Sequence, residues 1–257
     1  FFDALTFQGK TMQLNQGQQE ALDTLLAAVI DPNQKLITLS GPAGSGKTTI
    51  LKQLIKELKD LAVLMPEYLT TWHFTATTNK AVAALSDAIG PIAEVTTIHS
   101  LLGLVPYQGK LTKRRPSTVQ RKSIVVIDEA SYIGEELAEH IAPIMDQVTL
   151  IIFVGDSYQL PPVKDEISDI FDPNVIPQIE LTQVMRQADG NPIQELSLDL
   201  RDVVKNHGEP CITLDDVNIS WLDSDAFIKA FCSDCIISAP GSVRALAWTN
   251  QTAQHYN

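Results

Sequence analysis

Nine consecutive residues constrain this chain more than any other feature: Gly41-Pro42-Ala43-Gly44-Ser45-Gly46-Lys47-Thr48-Thr49. They satisfy the pattern G-x-x-x-x-G-K-[ST]. Ahead of them lies an apolar run that reads as a strand. Behind them Ile50, Leu51, Leu54, Ile55 and Leu58 recur at helical spacing. A glycine loop in that setting lets backbone N–H groups converge on phosphate, and the helix N-terminus adds positive potential. The whole loop is therefore a candidate nucleotide cradle, with Lys47 expected on the β and γ phosphates and the Thr48 hydroxyl on Mg²⁺. The expected ligands are ATP and Mg²⁺.

A second motif fits the first. Four apolar residues at 124–127 predict a buried strand, and Asp128 and Glu129 follow at its carboxyl end, where open α/β sheets place their ligands. Asp128 suits coordination of the metal, and Glu129 suits orientation and deprotonation of an attacking water. Along the chain, candidate strands at 35–39, 72–76, 123–127 and 150–154 alternate with candidate helices at 16–30, 47–59, 80–89 and 134–145. Such alternation predicts a P-loop NTPase of the α/β class, a parallel sheet flanked by helices over residues 1–177. Between 101 and 122 the pattern lapses into Pro106, Gly109 and Pro116 among Lys110, Lys113, Arg114, Arg115, Arg121 and Lys122, which reads as an insertion. A second unit is expected over 178–257, with a strand at 179–181, a helix at 192–204 and a strand at 244–248. That is too little to close a second core, so this unit reads as partial.

Composition limits the partners. A chain of 257 residues with 44% hydrophobic content can bury a full core. Its formal net charge of -12 makes long-range attraction to a polyanion unexpected, so any nucleic-acid contact must be local. No apolar run approaches the roughly 20 residues that span a bilayer, which predicts a soluble, cytoplasmic protein without membrane partners. Phe1 in place of an initiator Met implies a processed, tagged or partial start. Cys211, Cys232 and Cys235 do not make a closed disulfide framework, in keeping with an intracellular protein. With His207 they form a conceivable zinc set, against the alternative that Cys232 and Cys235 are small buried thiols within the apolar stretch 226–237.

A third segment points to a family. Phe153-Val154-Gly155-Asp156-Ser157-Tyr158-Gln159-Leu160-Pro161-Pro162-Val163 resembles motif III of superfamily 1 helicases, with Gln159 beside the γ phosphate. Together with the glycine loop and Asp128-Glu129-Ala130-Ser131, it makes the chain similar to the RecD and Dda branch of that superfamily. Further segments agree. Leu14-Asn15-Gln16-Gly17-Gln18-Gln19-Glu20-Ala21 resembles the family's entry motif, whose glutamine, here Gln18, reads the adenine edge with a paired donor and acceptor. Residues 74–82 (FTATTNKAV) resemble motif Ia and residues 96–102 (TTIHSLL) the segment after it. In the family both touch single-stranded DNA, which nominates Thr77, Thr78, Asn79, Thr97 and His99. Residues 181–187 resemble motif IV, whose arginine, here Arg186, reaches the γ phosphate. Residues 247–250 resemble a later DNA-facing segment carrying Trp248 and Asn250. Two departures stand out: Thr77 occupies a position where family members usually have Pro, and nothing resembles the late motifs of the second domain.

The resemblance implies an ATP-dependent DNA helicase with RecA-like domains, the second incomplete. It implies 5′ to 3′ movement on single-stranded DNA and replication or recombination proteins as further partners. The 101–122 insertion would be a small β-hairpin. Bland readings stay open beside these: Thr75, Thr77 and Thr78 as helix caps, His99 and Trp248 as packing residues, the basic cluster as a solvated loop. A P-loop ATPase acting on protein or a small molecule, and a non-enzymatic scaffold, are the rival functions.

Overall fold

The computed structural model describes residues 14–66, 70–159, 169–183, 192–206, 208, 209, 212, 214, 219–239, 242, 243 and 252. These divide into two compact units, Phe1–Gln187 and Ala188–Asn257.

In the first unit, helix α1 (Gln16–Ile30) starts from a reciprocal cap. Asn15 Oδ1 accepts from the Gln18 N–H at 2.8 Å, while Gln18 Oε1 accepts from the Asn15 N–H at 3.1 Å. Strand β1 (Leu36–Ser40) leads through the glycine loop into α2 (Lys47–Leu64). That helix outruns the expected end at 59 because nothing in 60–64 breaks it; Pro66 follows. Then come β2 (Trp72–Ala76), α3 (Asn79–Ile89), the short β3 (Val95–Thr97) and α4 (Ile98–Leu102). Strands β4 (Leu104–Tyr107) and β5 (Lys110–Lys113) form an antiparallel hairpin at the expected insertion. Its Gln108 and Gly109 have φ of 50° and 78°, the backbone that a two-residue hairpin turn requires. Strand β6 (Ile124–Asp128), α5 (Glu135–Ile141), β7 (Leu150–Gly155) and β8 (Gln178–Glu180) complete the unit. The helix expected over 134–145 is broken where Pro143 enters, and continues as a 3₁₀ turn at Ala142–Ile144.

Six strands form one parallel sheet in the order β3-β2-β6-β7-β1-β8. Alternation along β6 and β7 divides the core. Val126 and Ile152 face Leu22, Leu25, Leu54 and Leu58 of α1 and α2. Val125, Ile127, Ile151 and Phe153 face Leu102, Leu137 and Ile141 on the other side. Each such side chain, fully buried, is worth about 1.5–3 kcal/mol, so the sheet is clamped from both faces.

One correction concerns the strand near 179. It does not open the second unit: β8 pairs with β1, Leu39 opposite Ile179, and forms the edge of the first sheet. The second unit contributes two described helices, α6 (Pro192–Asn206) and α7 (Ser224–Ile237), the latter capped by Asp223, whose carboxylate accepts from the Ala226 N–H at 2.8 Å. None of this unit's described residues is buried. Cys232 and Cys235, read from the apolar stretch as buried thiols, are exposed on α7. That stretch is apolar on every side, so its composition did not say what covers it. The expected strand at 244–248 lies outside the described residues, as do His207 and Cys211.

Candidate nucleotide and strand site

Because all paired strands of the sheet are parallel, their carboxyl ends open on one edge, and the sheet order fixes who meets whom there. Reading along it, β3 ends at Thr97, β2 is followed by Thr77 and Thr78, β6 by Glu129, β7 by Asp156, and β1 by the glycine loop. Adjacent strands lie about 4.8 Å apart, so the loop and the carboxylate pair are two strand spacings from each other, roughly 10 Å.

The loop has the shape an anion needs. Gly46, with φ of 94°, precedes α2 and carries no side chain to cap it. At that φ any side chain is strained, and an added Cβ would also displace Gln18 Nε2. Lys47 Nζ donates to the carbonyls of Gly41 at 2.6 Å and Pro42 at 3.0 Å, which folds the ammonium over the loop. Its charge also opposes the burial that pushes up the carboxyls of Asp128 and Glu129. Ser45 Oγ is buried without a hydrogen-bond partner. Thr48 and Thr49 follow half-buried in the first turn of the helix, and Ala43 and Gly44 form the outer rim. An uncapped helix start, a folded-in cation and an orphaned hydroxyl are together what a phosphate group would satisfy.

Three acids gather opposite the loop. Burial raises the Asp128 carboxyl, with the Glu129 N–H (3.0 Å to Oδ1) and Lys47 pulling it back. Glu129 is raised first by burial, then by Asp128, and further by Asp156. Asp156 is itself buried and holds its turn by accepting from the Tyr158 N–H at 3.1 Å. The sequence reading did not nominate Asp156; its place after a buried strand, like that of Asp128, was the available signal. Gln159 follows, exposed, its N–H donating to the Asp156 carbonyl at 3.1 Å. Gly155 lets β7 approach the turn after β6: a Cβ there would meet the amides of Ala130 and Ser131 at 3.3 and 3.4 Å. Among the described residues, no group of three or more His, Cys, Asp or Glu could hold a metal. Thr48 and Asp128 are too few to cage Mg²⁺, which ordinarily completes its shell with water and phosphate oxygens.

Gln18, the expected adenine reader, has both ends of its amide engaged within the chain. It is buried, and besides its part in the α1 cap, its Nε2 donates to the Ser45 carbonyl at 3.0 Å. The side chain thus ties the start of α1 to the glycine loop.

The hydroxyl-bearing side of the edge is more varied. Thr75 is buried and donates to the Val126 carbonyl at 2.8 Å, so it belongs to the sheet. Thr78 caps α3, accepting from the Ala81 N–H at 3.1 Å, and Thr97 caps α4, accepting from the Ser100 N–H at 3.0 Å. Thr77 donates to the Glu129 carbonyl at 3.4 Å, and Asn79 is exposed. His99 is half-buried, and burial lowers its imidazole pKa, which leaves a neutral ring that can hydrogen-bond a backbone but brings no charge to it. Arg186, Trp248 and Asn250 lie outside the described residues.

Comparison with known proteins gives these features a family. The AAA domain family profile matches residues 13–215. The ATP-dependent RecD2 DNA helicase of Deinococcus radiodurans is 29% identical over 180 residues, covering 70% of this chain and 23% of that protein. The ATP-dependent DNA helicase dda of Enterobacteria phage T4 is 26% identical over 260 residues, covering 95% and 56%. The chain therefore spans well under two thirds of either relative. Among solved structures, the Pif1 helicase of Candida albicans aligns with a TM-score of 0.52 at 23% identity, covering 93% of this chain and 50% of its own. A likeness at that identity speaks for the fold alone. With the matched profile covering most of its length and with RecD2 and Dda among its relatives, the chain belongs to the AAA domain family and is of the RecD/Dda type within superfamily 1.

Proposed function

We propose that this chain is the ATPase part of a DNA helicase that moves on single-stranded DNA, 5′ to 3′, by hydrolysing Mg²⁺-bound ATP. One observation carries the reading: the glycine loop and the hydroxyl-bearing turns share one sheet edge, where Glu129 accepts from Thr77 and feels the charge of Lys47. The names of RecD2 and Dda support it.

In this reading Lys47 and the loop amides bind the phosphates, and Thr48 and Asp128 hold the metal. When bound, Mg²⁺ would neutralise phosphate charge and draw electron density from the bond that breaks. Glu129 takes the proton of the attacking water, a task suited by a carboxyl whose pKa burial and neighbouring acids have raised. Gln159 orients that water. Asn79, His99 and the hydroxyls of Thr78 and Thr97, which keep a proton to donate, hold the strand backbone, with Thr77 beside them donating to Glu129. Such contacts need no basic surface, consistent with the net charge of -12. Trp248 and Asn250 would add to the strand grip. The second unit would be the beginning of a second RecA-like domain, Arg186 would reach the γ phosphate, and replication or recombination proteins would be further partners. No helix among the described residues is long and apolar enough to cross a membrane, which supports a cytoplasmic setting.

The test is ATP turnover with and without single-stranded oligonucleotide at low salt, with Lys47→Ala as the control. Turnover that rises with the oligonucleotide and is lost in Lys47→Ala is the expected result. Turnover indifferent to DNA would favour the rival that the acidic surface suggests, an ATPase acting on a protein partner.

A further inference from the structure

The sheet register places two residues with different expected tasks beside each other. Strands β2 and β6 pair in parallel up to Ala76 opposite Asp128. The next residues, Thr77 and Glu129, leave the sheet together. Glu129 does so in the left-handed region, φ 54° and ψ 43°, a conformation that non-glycine residues hold only when their surroundings impose it. What imposes it is visible. The Glu129 N–H donates to Asp128 Oδ1 at 3.0 Å. Its carbonyl accepts from the Tyr132 N–H at 3.1 Å and from Thr77 Oγ1 at 3.4 Å. Two of these three ties come from the turn itself. The third comes from a different strand, from the residue that opens the turn into α3.

We infer that Thr77 is a positioning residue: its hydroxyl holds the Glu129 backbone and carries the state of the β2–α3 turn to the hydrolytic carboxylate. The division of labour within the turn agrees. Thr78 is committed to capping α3, so movement of that helix start moves the peptide that links it to Thr77. A ligand gripping the turn would therefore tighten or release the tie at Glu129 without touching the nucleotide. The inference rests on the proposed ATPase and strand-binding reading for its purpose, but the tie itself can be tested without either.

The test compares the chain with Thr77→Val, which keeps the shape and removes the donor, and Thr77→Ser, which keeps the donor. In nucleotide-free protein, amide exchange across residues 129–133 should be about 2- to 10-fold faster in Thr77→Val, the loss expected for one hydrogen bond, and near the parent rate in Thr77→Ser. Oligo(dT) should slow that exchange in the parent and in Thr77→Ser and leave Thr77→Val unchanged. With saturating oligo(dT), kcat for ATP should fall about tenfold in Thr77→Val, with KM within about twofold, and return in Thr77→Ser. Unchanged exchange in Thr77→Val overturns the inference, as does a loss that Thr77→Ser fails to restore, since that would report packing of the methyl group. Should the parent ignore oligo(dT) while Thr77→Val still exchanges faster, the tie stands and the strand-binding reading falls.

Discussion

The turns after β1 and β2 solve one problem in opposite ways. Each leads from the carboxyl end of a parallel strand into a helix whose first N–H groups have no partner within the helix. After β2, Thr78 supplies a side-chain oxygen and closes the helix start from within the chain. After β1, Gly46 supplies nothing, and its backbone twists to φ 94° to leave the amides of α2 pointing into the loop. The capped turn is complete as it stands; the uncapped one is complete only with an anion. Where a strand-helix turn lacks its cap is thus where a ligand is to be sought, and hydroxyls elsewhere on the same edge are first of all structural.

Three substitutions and one pH dependence would sharpen or break this contrast. The largest effect is expected at Glu129, which lies between the two turns: Glu129→Gln should lower kcat by roughly 10²- to 10⁴-fold while nucleotide binding, read by fluorescence titration, survives. Normal turnover in that variant would remove Glu129 from the role of base. Gly46→Ala comes next, because the added Cβ meets both an unfavourable φ and Gln18. Nucleotide affinity should drop by about 10- to 100-fold, and an unaffected affinity would show the loop can be built without glycine. Thr78→Ala removes the cap of α3, so it should cost about 1 kcal/mol and lower the melting temperature by about 2–4 °C. A loss of strand affinity in that variant is also expected from its proposed contact, and unchanged affinity would leave Thr78 the cap alone.

The smallest effect is one of pH, measured in chelator without nucleotide. Folding raises the Glu129 pKa, so between the ordinary glutamate value and the raised one the folded chain holds a proton that the unfolded chain has released. Stability from this group is therefore lost as pH rises through that window. Glu129→Gln should melt with the parent below the window and above it at neutral pH. Equal melting at both would mean the burial has no energetic consequence.

What was legible in the sequence follows from the same physics. The glycine loop, the acids after β6 and the helices with a regular apolar stripe follow from local pattern, as in Ile50, Leu51, Leu54, Ile55 and Leu58, all buried. The three-residue elements were legible only in part: β3 carries too few positions to show a period, and β8 was expected as a strand but read into the wrong unit because pairing with β1 depends on register. Helix α7 was visible only as an apolar stretch; Ile236 and Ile237 are 83% and 77% exposed, which no count of apolar residues could foretell. Within the site, residue identity gave the chemistry, while the second tasks of Gln18 and Thr77 came from distances across 27 and 52 positions of chain.

The β4–β5 hairpin carries a last consequence. Leu111 and Pro106 form the non-hydrogen-bonded pair next to the turn pair Tyr107–Lys110, so the polar groups of Leu111 face away from the hairpin, and Pro106 has no N–H to leave unpaired there. Glu136 and His140, one turn apart on α5, take them both: Glu136 accepts from the Leu111 N–H, and His140 Nε2 lies 3.3 Å from the Leu111 carbonyl. A two-stranded ribbon of this kind invites another chain to pair along its open side. Here a helix has occupied the middle of that side with two side chains, so a foreign strand approaching it would find the template already used.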